Sequence, residues 1–147
     1  MKLAPLVEHL ASLPVFAGRV VAAATLDAAI ATVKPLAAPS CVLFGVRETA
    51  APNEIAGQGG PRHRVTLALS LLSVVRHVGD MRGAAAFEAL DAVRADALRA
   101  LLGWQPTGQD FAAWEPLEYA GGQFAYAEAG TVLWQDNFTT RYTLSKP

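Results

Sequence analysis

The residue types that do chemistry most often are sparse in this chain: three histidines (His9, His63, His77) and one cysteine (Cys41). His63 and His77 bracket the run Arg62 to His77, fourteen residues apart in the sequence. Extended, that run would hold them about 45 Å apart, so they cannot share a metal or pass a proton. His9 sits in a separate segment near the start. The serine–histidine–acid sets that can be drawn have no G-x-S-x-G elbow behind them. Cys41, between Ser40 and Val42-Leu43-Phe44, reads as a small buried hydrophobe. A lone thiol supports neither an intrachain disulfide nor a thiolate metal site. Gly57, Gly59 and Gly60 lack the Lys-Ser/Thr of a phosphate-binding loop. Trp104, Trp114 and Trp134 read as buried or interface anchors before they read as stacking platforms. On residue chemistry the chain is not an enzyme, with no catalytic, cofactor-binding or metal residues to name.

The elements that would position these residues are clearer. In RHRVTLALSLLSVVRH, residues 62–77, Val65, Leu67, Leu69 and Leu71 alternate with Thr66, Ala68 and Ser70. Charge sits only at the ends, whereas a half-buried helix would carry it along one face, so the run reads as a long central strand. Upstream, residues 2–12 have Leu3, Leu6, Val7 and Leu10 on one helical stripe, ended by Pro14. Val15 to Ala23 reads as a first strand. Thr25 caps a second helix, LDAAIATVK, closed by Pro35. Ser40 to Glu48 reads as a strand too continuously apolar for an exposed edge. Thr49 to Pro61 reads as a loop of functional length, expected to be mobile in the free subunit.

Downstream, Gly79-Asp80 turns the chain into a helix from Gly83 to Leu102. Its buried stripe is Ala86, Leu90, Val93, Ala97 and Leu101, flanked by Phe87 and Leu98, and Gly103 caps it. Glu88, Asp91, Arg94, Asp96 and Arg99 fall off that stripe and read as a solvated face. After an irregular stretch, Gln123 to Ala127 and Thr131 to Leu144 form a hairpin. In its return strand Val132, Trp134, Phe138, Tyr142 and Leu144 face one way. Asp136 falls among them, which predicts either a bulge or a paired buried carboxylate. The elements add up to one α+β domain over residues 1–147. It has a mostly antiparallel sheet of about four to five strands, with two to three helices packed on it.

Composition bounds the rest. Hydrophobic residues make up 52% of the 147 and charged residues only 17%. Small domains have much surface to cover, so little charge implies surface buried against partner subunits. The net charge of −1 gives no field that would select nucleic acid. No run approaches the length of a membrane span, and MKLAPLVEHLASLP lacks a signal-peptide layout. Synthesis in the cytoplasm is expected.

One combination in the second half carries a resemblance. Arg64-Val65-Thr66 opens the long strand and Asp80 and Gly83 follow it. The helix then ends in Leu101-Leu102-Gly103-Trp104-Gln105-Pro106. Pro116-Leu117-Glu118-Tyr119, Gly121-Gly122 and Trp134-Gln135-Asp136-Asn137-Phe138-Thr139-Thr140 complete the order, with Ala51-Pro52-Asn53-Glu54 upstream. Together these resemble the small tail-terminator (Gp37-like) proteins of bacteriophages and prophages. The resemblance implies a hexameric ring in the virion tail, seated on the head-proximal end of the tail tube. Such a ring stops tube polymerisation and joins the tail to the head. The implied partners are further copies of the chain, the tail tube protein and a head-completion or neck protein. It implies no cofactor, no membrane and no specific nucleic acid binding. The partner-contact candidates are Asn53, Glu54 and Ile55 of the loop, with Arg62 and Arg64 at the strand's start. Two alternatives stay open: a neck or tail-completion protein of the same virion, and a cellular α+β module that binds small molecules.

Overall fold

The computed structural model describes residues 3–54, 60–77, 79, 84–108 and 114–145. Along them run α1 (Ala4–Ala11), β1 (Val20–Ala22), α2 (Leu26–Val33), β2 (Ser40–Ala50), β3 (Arg62–Arg76), α3 (Ala84–Leu101), β4 (Glu118–Glu128) and β5 (Thr131–Ser145). The five strands form one sheet in the order β1-β2-β3-β5-β4. Only β1 and β2 run parallel; the other pairings are antiparallel.

The long apolar strand is the centre of this sheet. β3 pairs with β5 from Arg62↔Ser145 to Arg76↔Thr131 without a break. Its alternation explains two cores. Leu67, Leu69, Leu71 and Val75 point to one face, where Leu10, Leu90, Leu101 and Phe138 pack with them. Leu72 and Val74 point to the other, against Ala29 and Val33 of α2, with Val42, Phe44 and Leu133. The run from Leu69 to Val75 is continuously buried because helices cover both faces only there.

Local chemistry sets the element ends. Thr25 adopts an extended conformation and its Oγ1 accepts from the Ala28 amide at 3.2 Å, a side-chain cap for α2. On α3 the stripe Ala86, Leu90, Val93, Ala97 and Leu101 is buried as the spacing predicts. The β4–β5 turn places Ala129 at φ 45° and Gly130 at φ 76°, the mirror-image turn whose twist suits a hairpin. In β2 the register slips between Phe44 and Arg47, and Gly45 takes φ +62°. That bulge inserts one residue and reverses the alternation beyond it. Val46 therefore packs on the first core while Arg47 is exposed.

Several expected boundaries are corrected. The first strand is Val20–Ala22, not Val15–Ala23: the successive residues Ala17 and Gly18 have φ of 45° and 79°, which turns the chain there. β2 runs on to Ala50, so Thr49 and Ala50 belong to a strand and not to the loop. β4 begins at Glu118, five residues earlier than the hairpin reading, since Gly121 and Gly122 are held in the ladder against Asn137 and Asp136. Phe87 does not join the core. It is 43% exposed and lies over Phe124 of β4, ring centroids 6.5 Å apart.

Candidate functional site

The predicted contact residues gather where β2 passes into β3. The ladder continues past Ala50: Ala51 donates its amide to the Arg64 carbonyl at 2.8 Å, and Glu54 donates to the Arg62 carbonyl at 3.0 Å. The Asn53 side chain accepts the Arg62 amide at 2.8 Å, and His63 donates from Nδ1 to the Ala51 carbonyl at 3.0 Å. Asn53, Glu54 and Arg62 are thus brought together at the base of the loop. Ile55 lies outside the described residues, as does the rest of 55–59 within the segment expected to be mobile.

Arg64 is drawn elsewhere. Its guanidinium pairs with Glu115, which also takes Arg141 at 3.3 Å, and Arg141 reaches Glu118 at 3.4 Å. These partners hold the Glu115 carboxyl below its usual range, the Arg64 hydrogen bond being the largest cause and the Arg141 bond adding to it. Trp114 bridges to Tyr142 along the β5 edge and stacks on its ring at 5.2 Å. The Tyr142 hydroxyl donates to Glu48 at 3.2 Å, tying β5 to β2 across β3. This end of the sheet is a polar, internally braced surface.

The strongest electrostatic cluster was half missed by sequence reasoning. Asp136 is 1% exposed, and α3 supplies its counter-ion. Arg94 reaches its two oxygens at 3.0 and 2.7 Å. The Tyr119 hydroxyl donates at 3.0 Å and Trp134 Nε1 at 3.1 Å. Arg94 also lies 4.5 Å above the Trp134 ring centroid. Arg94 is therefore not part of a solvated face, and Asp136 is the paired buried carboxylate and not a bulge. Burial foremost, and then the bond to Asp136, raise the Tyr119 phenol above its ordinary value. A Cβ on Gly122 would come within 2.5 Å of Asp136 Oδ1 and 2.7 Å of Trp134 Nε1. Only glycine lets β4 approach this closely. The signals present in the sequence were Asp136 in an apolar alternation and Gly121-Gly122 in a strand.

The remaining candidates for chemistry are placed structurally. His9 stacks on Trp104 at 4.8 Å and donates from Nε2 to the Ala100 carbonyl, joining α1 to the end of α3. Cys41 is fully buried, and burial pushes its thiol up. Among the described residues no three of His, Cys, Asp and Glu are grouped to hold a metal ion. Among them too, no helix is long and apolar enough to cross a membrane.

The sequence matches the family described as phage tail terminator protein over residues 1–147. The chain belongs to the phage tail terminator family. It is a structural component of a phage tail, which answers the class question that its chemistry left open. No curated protein matches the sequence. Among solved structures, this terminator-family chain is similar to one in the virion of a native gene transfer agent particle. The TM-score is 0.61 at 18% identity, covering 96% of this chain and 93% of that one, a likeness of fold.

Proposed function

We propose that this protein closes as a hexameric ring on the head-proximal end of the tail tube, ends tube polymerisation and forms the joint to the head. The observation that carries the reading is the family match across the whole chain. Composition supports it: with 17% charged residues, the surface suits burial against other subunits. The partners are further copies of the chain, the tail tube protein and a head-completion or neck protein. The subunit is made in the host cytoplasm and works in the virion tail. Asn53, Glu54, Arg62 and Arg64 at the β2–β3 end of the sheet, with Ile55 next to Glu54 in sequence, make the contact to tube or neck.

The test is tube growth. Purified tail tube protein polymerised in the presence of this chain should give tubes that stop lengthening, with the chain bound at one end only. Tubes that grow as if it were absent, with no chain bound, would remove the terminator reading.

A further inference from the structure

The sheet has two open edges that differ in kind. β1 pairs with β2 only over Cys41 to Leu43, so from Phe44 to Ala50 β2 is itself the edge. Hydrogen-bonded and non-bonded pairs alternate along an antiparallel ladder. Ala51 donates to Arg64, so Thr49 and Arg47 bond to β3, while the backbone groups of Glu48 and Ala50 point outward. These outward groups have no backbone partner among the described residues. On the far side β4 is the edge, and it carries an aromatic patch. Tyr119 is 40% and Phe124 51% exposed, with Phe87 of α3 beside Phe124. Neighbouring exposed aromatics of this size mark an interaction surface.

We propose that the β2 edge of one copy, Gly45 to Ala50, pairs with the β4 edge of the next, so that one sheet runs from copy to copy. This deepens the ring reading and rests on it for the identity of the partner. Strand direction fits. In the order β2-β3-β5-β4 every pairing is antiparallel, so β2 and β4 run in opposite directions and copies related by rotation bring them together antiparallel. The faces fit too. By register, Val46 and Ala50 lie on the face that carries α1 and α3, and so do Tyr119 and Phe124. Arg47 lies on the opposite face, as do Glu118 and Glu128. Setting Val46 against Phe124 brings Ala50 to Tyr119, so apolar side chains meet aromatic ones. Glu48 between them is already held by the Tyr142 hydroxyl at 3.2 Å, and Arg47 comes against Gln123 on the other face. The incoming strand takes the line that β1 leaves at Ala22, with a stagger along the strands of the kind that closing sheets require. The contact joins two different patches, so each copy keeps one free edge for the next, as head-to-tail closure demands.

The test is sedimentation of the full chain up to millimolar concentration, with two variants. Ala50→Pro removes an outward amide that β3 does not use, and Phe124→Asp places charge in the aromatic patch. The parent should associate. Each variant alone should associate roughly tenfold or more weakly, the factor that one or two lost strand hydrogen bonds represent. An equimolar mixture should recover a heterodimer and nothing larger, since each variant keeps the edge the other lacks. Where Ala50→Pro fails to fold, Ala50→Lys blocks the same edge with the backbone intact. A parent that stays monomeric, a variant that associates like the parent, or a mixture that does not pair would each overturn the proposal. Failure of the two readings is separable. Edge variants that still cap tubes would refute this contact alone, whereas a parent that associates edge to edge yet leaves tubes growing refutes the terminator reading alone.

Discussion

Replacing Arg94 with methionine isolates the buried ion pair between α3 and β5. The substitution keeps an unbranched side chain of similar reach over Trp134 but removes both charged bonds to Asp136, at 3.0 and 2.7 Å. The carboxylate, 1% exposed, would keep two neutral donors, Tyr119 and Trp134 Nε1. Removing one member of a buried ion pair costs about 3–5 kcal/mol, because the other charge stays buried without its partner. At this chain length about 1 kcal/mol corresponds to about 2–4 °C, so the melting temperature should fall by at least about 6 °C. Asp136→Asn should cost less, since the Arg94 side chain is 18% exposed and can turn to water. Adding Asp136→Asn to Arg94→Met should recover part of the loss, giving a coupling energy of about 0.5–3 kcal/mol. Urea unfolding followed by circular dichroism reads the cycle, and Trp134 fluorescence reports on the site itself. A melt of Arg94→Met within 1 °C of the parent, or additive single costs, would refute the claim that Arg94 neutralises a buried charge.

Three further outcomes test other parts of the argument. Leu69→Ala, at a side chain 3% exposed in the α1–α3 core, should cost about 2–5 kcal/mol by chemical unfolding. A parent-like melt would mean that this face of β3 is not the core. Gly122→Ala should destabilise even though it adds one methyl group. That methyl meets Asp136 Oδ1 at 2.5 Å and Trp134 Nε1 at 2.7 Å, so β4 or the braced side chains must shift, and amide exchange along β4 should accelerate with the loss. Stability should also fall at alkaline pH. The Tyr119 phenol is raised from 10.0 by burial and by Asp136, so its contribution is complete below pH 10 and is lost as pH rises through the higher folded value. Tyr119→Phe should flatten that part of the alkaline melting curve, and an unchanged slope would show that the phenol is not coupled to folding.

What was legible in the sequence followed from periodicity. β3 and α3 repeat their apolar residues at two clean periods, and each buries the residues those periods select. The Thr25 cap was equally readable, because a hydroxyl three residues before an amide it can accept is a local matter. Boundaries set by distant partners were not. Residues 15–19 have strand-like composition, yet the chain turns there because Phe16 is buried and Arg19 donates to the Pro39 carbonyl at 2.7 Å, twenty residues away. The start of β4 at Glu118 was hidden by Gly121-Gly122, which usually mark a break and here make room for Asp136.

The candidate site divides along the same line. Asn53, Glu54, Arg62 and Arg64 could be placed at one end of the sheet, but not their partners, since Arg64 finds Glu115 fifty-one residues on. Asp136 could be recognised as out of place, while Arg94 could not be told from the solvated charges beside it on α3. An edge is less visible still. Nothing in SCVLFGVRETA states that β1 will cover three of its residues and leave the rest open; that follows only from where Arg19 to Ala23 lies in space. For a structural subunit this matters more than for an enzyme. An enzyme's chemistry is written in residue types, whereas a structural subunit's contacts depend on which backbone and which apolar side chains the fold leaves uncovered. The open β2 edge and the aromatic β4 edge are such features, and they belong to the tertiary structure before they belong to any motif.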